Sequence, residues 1–444
     1  MITAALAKWV ARTPRIRSKR ALMLAKNAFK DIVACMIAGA EDEAALRVSN
    51  SGIPSQALIY GTAAHALDYD DNYHPMAGHA TAVVVPAIFS LTESRGASGA
   101  AVLDAYIVGL EALAVVGDGV NLVHYEKGWH STSTLGPFGA AAACARLLAL
   151  DADGVTAALS LAFSMAGGSK RQFGTMAKPV HAGLAAHHGV MAAMLAASGV
   201  RGHAEPLEGH WAFRELFAGA GSAGYRAVKV GKPLAIERYG LKAKIHPCCA
   251  SVHTAVDALI SLKNEFSVED VERLDVLVNR VSYDNLPYAN PHTEMEARFS
   301  MQWAMALALL QGRLHLADFT PAALKRRDVR ALLPRIRMRH TKPGNEHPSL
   351  ENGREPALTT VHLKNGKKLS RYAQRPKGTL QIPLTAAELD AKFEDCAPGR
   401  AALARMLDRL ESVRDIRTLL KLIRPSPRRR RSPSASRAAR GRRR

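Results

Sequence analysis

Aromatic residues are scarce in this chain. Phe, Trp and Tyr make up 6% of its 444 residues, whereas hydrophobic residues together make up 48%. Alanine-rich apolar segments with few aromatics favour helices, because alanine has the highest helix propensity. A chain of this length can form two domains and bury a large core.

The cysteines lack any pattern that indicates a disulfide scaffold. There are five of them, and the sequence contains no CxxC motif. An odd number of scattered cysteines in a long chain is typical of a reducing compartment. The first residues contain no apolar segment typical of a secretory signal. We therefore expect a cytoplasmic protein.

Long uninterrupted apolar runs are also missing, so we expect no bilayer span and no membrane partner. The chain is nevertheless strongly basic, with a formal net charge of +21. Ten arginines and no acids lie in residues 424–444, which leaves +11 for the rest of the chain. A basic body suits anionic partners, either small acids or nucleic acid, and net charge does not separate these classes.

The last residues, 424–444, differ in composition from the rest of the chain, since they are rich in Arg, Ser and Pro: RPSPRRRRSPSASRAARGRRR. Such a segment cannot offset its ordering entropy by burial, so we predict a disordered tail. Polyarginine binds phosphate non-specifically, which leaves a nucleic-acid-binding or scaffold role open, as well as no role at all. Deleting residues 424–444 and measuring both turnover and retention on DNA would distinguish these interpretations.

Helical patterns dominate residues 20–262, where apolar stretches alternate with Gly and Pro. We predict helices over 137–150 and 179–198, because proline fits the first turn of a helix. A third helix is predicted over 81–93, with a kink at Pro86.

Strand patterns appear after about residue 265. Residues 274–278 alternate as a half-buried strand does, and 335–340 is a second candidate. Residues 359–363 and 368–372 flank Asn365-Gly366, which is a strong hairpin signal. Helices are predicted between these strands, over 299–310 and 322–333.

These patterns predict a mainly α protein with a large all-helical domain and a smaller α+β lid domain. The predicted units are 1–264 for the N-terminal part of the helical domain, 265–385 for the lid, 386–423 for helices that return to the helical domain, and 424–444 for the tail.

Acids and histidines are concentrated in residues 61–87, GTAAHALDYDDNYHPMAGHATAVVVPA. Carboxylates and imidazoles together can transfer protons or bind a metal. The spacing differs from the HExxH pattern, which makes metal the weaker interpretation. Asp70 and Asp71 can also serve as turn caps before Pro75. A structural role is at least as plausible as a functional one for any single residue of this segment, but not for all six acids and histidines together.

Two further segments place polar residues at predicted helix starts. His130 precedes the hydroxyl run 131–134, and the free N–H groups of a helix start favour an anion. Lys178 precedes Pro179, where the positive end of the helix dipole disfavours a cation. An anionic ligand near Lys178 is one explanation, and a solvent-exposed lysine is the other.

Two late segments add candidates. Cys248 and Cys249 are adjacent and are expected to be small buried residues, the commonest fate of free cysteine. Arg298 precedes an apolar helix, where it can bind a carboxylate in a bidentate manner or form an ion pair with Glu294 or Glu296.

Together, these segments resemble the MmgE/PrpD family over about residues 20–423. The stretches GTAAHALDYDD, TLGPFGAAAA, GTMAKPVHAG and KFEDCA carry the resemblance. The family implies an all-helical domain, an α+β lid and a homodimer. It also implies no metal, no iron–sulfur cluster and no organic cofactor, and its substrate would be a small anionic carboxylic acid.

The resemblance implies the catalytic residues Asp68, His79, His130 and Lys178. The candidate substrate-binding residues are Asn72, Lys170, His181, Cys249, Tyr283 and Arg298. We hypothesise that His79 or His130 transfers a proton, that Asp68 orients a histidine or keeps it protonated, and that Lys178 neutralises developing charge.

Three reactions are compatible with this resemblance. Dehydration of the 2-methylcitrate type is the first interpretation, because hydro-lyase chemistry is the family's broad label. Epimerisation of an iminodisuccinate-like acid is the second, and cis-aconitate-type decarboxylation is the third. Asn72 stands where the decarboxylase pattern has a threonine, the loop to His79 is one residue longer, and Cys249 stands where that pattern has a histidine. These departures weigh against decarboxylation.

Overall fold

The computed structural model describes residues 1–219, 221–341 and 355–423. The predicted disordered tail, 424–444, lies outside these described residues. The described part is mainly α-helical with one small sheet, as predicted.

The α-helices are α1 (Ile2–Arg12), α2 (Lys19–Gly39), α3 (Glu43–Ser49), α4 (Gln56–His65), α5 (Thr81–Arg95), α6 (Gly99–Val120), α7 (Val123–Glu126), α8 (Ser131–Thr134), α9 (Gly136–Leu147), α10 (Ala152–Ser164), α11 (Ala177–Ala197), α12 (Phe213–Phe217), α13 (Ala235–Tyr239), α14 (Ala250–Leu262), α15 (Arg280–Asp284), α16 (Glu294–Arg298), α17 (Met301–Gln311), α18 (Arg327–Leu332), α19 (Ala386–Cys396), α20 (Ala401–Asp408) and α21 (Arg417–Ile423). The 3₁₀ turns are Lys170–Gln172, Lys263–Glu265, Val268–Asp270, Leu316–Phe319, Ala323–Lys325, Leu333–Arg335 and Leu410–Ser412.

Helices α4 and α11 pack with their backbones in close contact. A Cβ atom on Gly61 would lie 2.7 Å from the Cα atom of Gly183, and one on Gly183 would lie 2.3 Å from the carbonyl oxygen of Leu58. Only glycine permits this approach, because any side chain would overlap the opposite backbone. The antiparallel crossing brings His65, the last residue of α4, next to Lys178 at the start of α11.

The predicted strands form a four-stranded sheet in the order β2-β1-β3-β4. Its strands are β1 (Val271–Val278), β2 (Ile336–His340), β3 (Ala357–Leu363) and β4 (Lys368–Ala373). β1 pairs with β2 in parallel and with β3 in antiparallel orientation, and β3 and β4 form the predicted hairpin. Leu274, Val276 and Val278 are buried, which confirms the alternation predicted for this strand.

Two hydrophobic clusters underlie this architecture. The larger cluster combines residues from α1 to α13 with residues from α19 to α21, and the smaller one contains α14, α17 and the sheet. The late helices α19 to α21 thus share a cluster with the N-terminal helices. Helix α14, however, packs in the smaller cluster, although the predicted boundary at residue 264 put it in the helical domain. The division into a body and a lid stays a prediction.

The late helix α19 is also connected to the rest of the chain by a buried charge. The ammonium group of Lys392 lies 2.5 Å from Asp31 of α2 and donates to the carbonyl oxygen of Tyr69 at 2.7 Å. Both charged side chains are at most 3% exposed. This contact fixes the backbone of the acidic loop that follows α4.

Several predicted elements differ in detail. The predicted helix over 322–333 is a 3₁₀ turn followed by the short α18, and the helical pattern begins at Ile2 rather than near residue 20. Helix α5 continues through Pro86. Helices α6 and α11 have the length and mean apolar composition of a membrane span, although charged residues or histidines interrupt both, as the sequence indicated. In α6, 89% of that stretch is buried, as in a core helix.

The close crossing of α4 and α11 predicts a specific sensitivity. Replacing Gly183 with alanine forces a methyl group against the backbone of α4 and should lower the free energy of unfolding by about 1–3 kcal/mol, even after the better helix propensity of alanine. Thermal unfolding monitored by circular dichroism would measure this loss.

A matched substitution is available at Gly167, whose Cβ would meet nothing within 4 Å. Gly167→Ala should leave the unfolding midpoint within about 1 °C of the wild type, since it meets no steric conflict. Equal midpoints for both variants would argue against the close crossing as a constraint on stability.

Candidate active site

Asp68 lies at the centre of a buried ionic cluster. Its Oδ1 atom is 2.5 Å from the ammonium group of Lys178, and its Oδ2 atom is 3.1 Å from that of Lys244. Lys244 also donates to the Asp68 carbonyl oxygen at 2.6 Å. Burial alone would raise the pKa of Asp68, but the two ammonium groups outweigh it and hold the pKa well below its usual range. Asp68 is therefore ionised.

The backbone around Asp68 is held in a specific shape. Asp68 has a φ of +51°, in the left-handed region, directly after the end of α4. The Nε of Arg298 donates to the carbonyl oxygen of Leu67 at 3.0 Å, and its Nη1 donates to the Glu294 carbonyl oxygen at 3.3 Å. Arg298 is 3% exposed, and these two donors go to backbone carbonyl oxygens, so the predicted carboxylate clamp stays a prediction. It supports the turn that presents Asp68.

Asp70 connects two histidines. Its Oδ1 atom is 2.9 Å from Nδ1 of His65, and its Oδ2 atom is 2.9 Å from Nδ1 of His79. Burial would raise the pKa of Asp70, but the two imidazoles outweigh it and keep the pKa well below its usual range. An ionised carboxylate accepts a hydrogen bond from Nδ1 of His65, so Nε2 of His65 presents a lone pair. Nδ1 of His79 contacts the other carboxylate oxygen without hydrogen-bond geometry.

The two Nε2 atoms have different partners. Nε2 of His65 accepts from the ammonium group of Lys178 at 2.8 Å, and Nε2 of His79 lies 3.4 Å from the amide nitrogen of Asn72. Burial lowers the pKa of His79 to about 3, although Asp70 opposes this effect. His79 is therefore a neutral base at physiological pH, and Asn72 contacts the atom that would accept a proton.

His130 and His181 form a second imidazole pair, with their Nδ1 atoms 2.9 Å apart. Burial lowers the pKa of His130 well below its usual value and that of His181 to about 4, so this pair is also neutral. The His130 ring lies 6.2 Å from that of His65 and 5.1 Å from that of Phe173. The two pairs thus border the same buried region beside Lys178.

The role hypothesised for Asp68 needs correction. Its Oδ1 atom is 3.9 Å from Nε2 of His79, too far for a hydrogen bond, so Asp68 orients lysines and Asp70 orients the histidine.

Asp71 has a different environment from Asp68 and Asp70. Its carboxyl group accepts a hydrogen bond from Thr81 at 2.6 Å and contacts no imidazole in the described structure. Burial and the nearby Asp31 raise the pKa of Asp71 to about 8.

Two other predicted binding residues lie at the edge of the cluster. Cys249 is 8% exposed, and its N–H donates to the Arg298 carbonyl oxygen at 2.9 Å. Burial raises the pKa of its thiol, which is therefore neutral. Lys170 lies 3.9 Å from the centre of the Tyr125 ring.

Tyr283 does not join this cluster. It is 37% exposed, and its ring packs against that of His340 at 4.8 Å. A tyrosine five positions later, Tyr288, contacts a site segment, since its hydroxyl donates to the carbonyl oxygen of Phe173 at 3.1 Å. The assignment of Tyr283 to substrate binding is therefore not supported by its position.

The same cluster has the chemistry of a metal-ligand set. His65, Asp68, Asp70 and His79 present ligand atoms within 4.8 Å of one another. The ammonium groups of Lys178 and Lys244 both contact Asp68, however, and would repel a divalent cation at this distance. The charge pattern therefore favours proton transfer, and the absence of a metal stays a prediction.

The sequence did not single out three members of this cluster. His65 and Asp70 lie inside the stretch that carried the family resemblance, but nothing in their spacing indicated that one carboxylate would serve two imidazoles. Lys244 opens the KIHPCC segment and is fully buried at the Asp68 carboxylate. The available sequence signal for Lys244 was its position shortly before a Pro-Cys-Cys stretch whose cysteines were expected to be buried.

Both halves of the chain match family models. Residues 49–225 match the MmgE/PrpD N-terminal domain, and residues 246–416 match the MmgE/PrpD C-terminal domain. The two matched regions include every residue of the cluster except Lys244, which lies just before the second region.

Several curated relatives align over most of the chain. Human cis-aconitate decarboxylase is 28% identical over 396 residues, covering 84% of this chain and 79% of the relative. The mouse cis-aconitate decarboxylase is 27% identical over 392 residues, covering 83% and 78%. The cis-aconitate decarboxylase-like protein oryM of Aspergillus oryzae is 26% identical over 474 residues, covering 95% and 97%.

The double role of Asp70 predicts a large effect of Asp70→Asn. An amide lacks the negative charge that favours a proton on Nδ1 of both imidazoles, so His65 and His79 should populate mixed tautomers and turnover should fall by about 100-fold or more. Because Asp70 raises the pKa of His79 against the effect of burial, the variant lowers that pKa further. Activity should therefore not recover anywhere between about pH 5 and 9. Nitrogen-15 NMR of the imidazoles reports the tautomers directly.

Asp71→Asn is the matched control. With a pKa near 8, Asp71 holds its proton at pH 6 to 7, so the amide changes neither charge nor shape there. Turnover and imidazole spectra should stay close to wild type. If Asp70→Asn leaves the tautomers unchanged, Asp70 does not set them.

Proposed function

The chain belongs to the MmgE/PrpD family, and from that premise we propose that it is a lyase that transfers a proton on a small polycarboxylate. The observation that carries the proposal is the buried cluster in which ionised Asp68 contacts two ammonium groups beside neutral His65 and His79. Proton transfer next to a carboxylate needs a base or an acid and a nearby positive charge that stabilises the anion. The cluster supplies these groups in one place.

We propose decarboxylation of a cis-aconitate-like acid as the first reaction to test. The names of the human, mouse and Aspergillus relatives support this choice over the dehydration that the sequence first favoured. In such a reaction the carbon–carbon bond to one carboxylate breaks and carbon dioxide leaves. The electron pair stays on the substrate as a delocalised anion, which then takes one proton at carbon.

Lys178 is the proposed charge-stabilising group, and it is suited to donate that proton. Its ammonium group has three donors, of which one contacts Asp68 and one contacts His65. The rings of Phe173 and Phe299 lie 5.4 Å and 5.1 Å from it, so two aromatic rings form part of its surroundings. The third donor is left for the substrate.

Dehydration is the second candidate, and His79 favours it. A neutral imidazole with its Nε2 lone pair available is suited to remove a proton from carbon, whereas decarboxylation requires no base. Asn72 and Cys249, which replace the threonine and histidine of the decarboxylase pattern, point in the same direction. In this reaction His79 would take the proton and Lys178 would assist departure of the hydroxyl group as water.

Proton NMR in heavy water tests the reaction type. The purified chain should convert at least one of cis-aconitate, citrate, 2-methylcitrate and iminodisuccinate. Loss of carbon dioxide with one deuterium in the product indicates decarboxylation, and loss of water indicates dehydration. Deuterium exchange without net conversion indicates epimerisation. Inertness toward all four acids and their close analogues would contradict the proposal.

Substitution of the proposed site residues should abolish the reaction found. Lys178→Met and His130→Ala should each lower kcat/KM by about 100-fold or more, a loss of about 3 kcal/mol of transition-state stabilisation. Asp68 keeps Lys244 as a partner in Lys178→Met, so the fold should tolerate that change. Lys127→Met, at an exposed lysine, is the control and should retain full activity. Full activity in both site variants would refute the assignment.

A further inference from the structure

Lys170 and His130 flank an isolated β-bridge. Trp129 pairs with Ser169, while the His130 N–H donates to the Gly168 carbonyl oxygen at 3.0 Å and the Lys170 N–H to that of Gly128 at 2.8 Å. This pairing holds the backbone of Lys170 close to that of His130.

The segment that begins at Lys170 leads into the site. The N–H of Phe173 donates to the Lys170 carbonyl oxygen at 3.0 Å. The Phe173 ring lies 5.1 Å from that of His130 and 5.4 Å from the ammonium group of Lys178. Lys170 thus borders the region that contains the reacting groups.

The other cations of this region already contact a carboxylate or backbone carbonyl oxygens. Lys178 and Lys244 share the Asp68 carboxylate, and Arg298 is enclosed and donates to two backbone carbonyl oxygens. For Lys170, no carboxylate oxygen of the described residues lies within 4 Å of the ammonium group. Its one described acceptor is the Tyr125 carbonyl oxygen, at 3.5 Å. An ammonium group has three donors, so two of them lack a described partner.

The position of the Lys170 ammonium group is nevertheless fixed. It lies 3.9 Å above the ring of Tyr125, whose hydroxyl donates to Asn285 at 3.1 Å, and Asn285 donates to Ser251 at 3.2 Å. Partial burial lowers the pKa of Lys170, which reflects an incompletely compensated cation. A held ammonium group with free donors is suited to an incoming carboxylate.

We propose that Lys170 binds a carboxylate of the substrate that does not react, and so makes the site selective for acids with an additional carboxylate. This rests on the proposed function, since it assigns a second contact to the same polycarboxylate. The reacting part of the acid lies toward Lys178 and the histidines, and the additional carboxylate lies toward Lys170 and Tyr125.

Binding of non-reacting acids tests this role without turnover. The probe is propane-1,2,3-tricarboxylate, compared with glutarate, which lacks the central carboxylate, and methylsuccinate, which lacks a terminal one. Isothermal titration calorimetry gives Kd for the wild type and Lys170→Met. The variant should bind the tricarboxylate about 10- to 100-fold more weakly, as expected for loss of a charge-assisted contact. For at least one of the two dicarboxylates, the affinity of Lys170→Met should be no more than about threefold weaker than that of the wild type.

Two variants serve as controls. Lys170→Arg keeps the charge and should retain most of the tricarboxylate affinity. Arg171→Met removes an exposed cation from the same 3₁₀ turn and should leave all three Kd values unchanged. Once the natural acid is known, Lys170→Met should raise KM for it by a similar factor and leave kcat within about threefold.

The possible failures are distinct. Unchanged tricarboxylate affinity in Lys170→Met, or an equal loss for all three acids, overturns the role of Lys170 and leaves the proposed function intact. A wild-type protein that binds none of the three acids and converts no polycarboxylate overturns both proposals.

Discussion

One carboxylate shared by two lysines is the interaction on which the site depends. Asp68, Lys178 and Lys244 come from three separate parts of the chain, yet each is at most 3% exposed in its side chain. Removing a charge from water is costly unless a partner is held close by, and removing one partner leaves an uncompensated ion. The crossing of α4 with α11, the left-handed turn at Asp68 and the segment before α14 all contribute to keeping these three charges together.

Three acids within four positions of one loop have different chemical states. Asp68 is ionised against ammonium groups, Asp70 is ionised against imidazoles, and Asp71, with a pKa near 8, is protonated at neutral pH. The differences come from the partners, since all three side chains are buried. In this short acidic segment, Asp68 holds two lysines, Asp70 holds two histidines, and Asp71 is a buried neutral group. Burial keeps the histidines neutral, while Asp68 provides a counter-charge for two ammonium groups in the same small volume.

Sequence patterns predicted much of this architecture, because periodicity and turn signals act locally. The hairpin at Asn365-Gly366 and the alternation along β1 required only neighbouring residues. The family resemblance grouped Asp68, His79, His130 and Lys178, and the structure brings these four residues around one buried region.

Other features depended on contacts between residues distant in sequence. Lys244 meets Asp68 across 176 residues, and Arg298 reaches Leu67 across 231 residues, so no local pattern could reveal either contact. Substrate binding was assigned to Tyr283, whereas Tyr288, five positions later, contacts the segment beside His130. The same lack of local signal explains why Asp70 was interpreted as a turn cap.

The contact of Lys392 with Asp31 and with the Tyr69 backbone has a consequence for biosynthesis. The loop that carries Asp68, Asp70 and Asp71 is held by a residue that the ribosome adds more than three hundred positions later, at a sequence separation of 323. The acidic loop can form its helix-terminal turn early, but its final support arrives only when nearly the whole chain has emerged. A nascent or prematurely terminated polypeptide would therefore lack a competent centre, and maturation of the protein is coupled to completion of its synthesis.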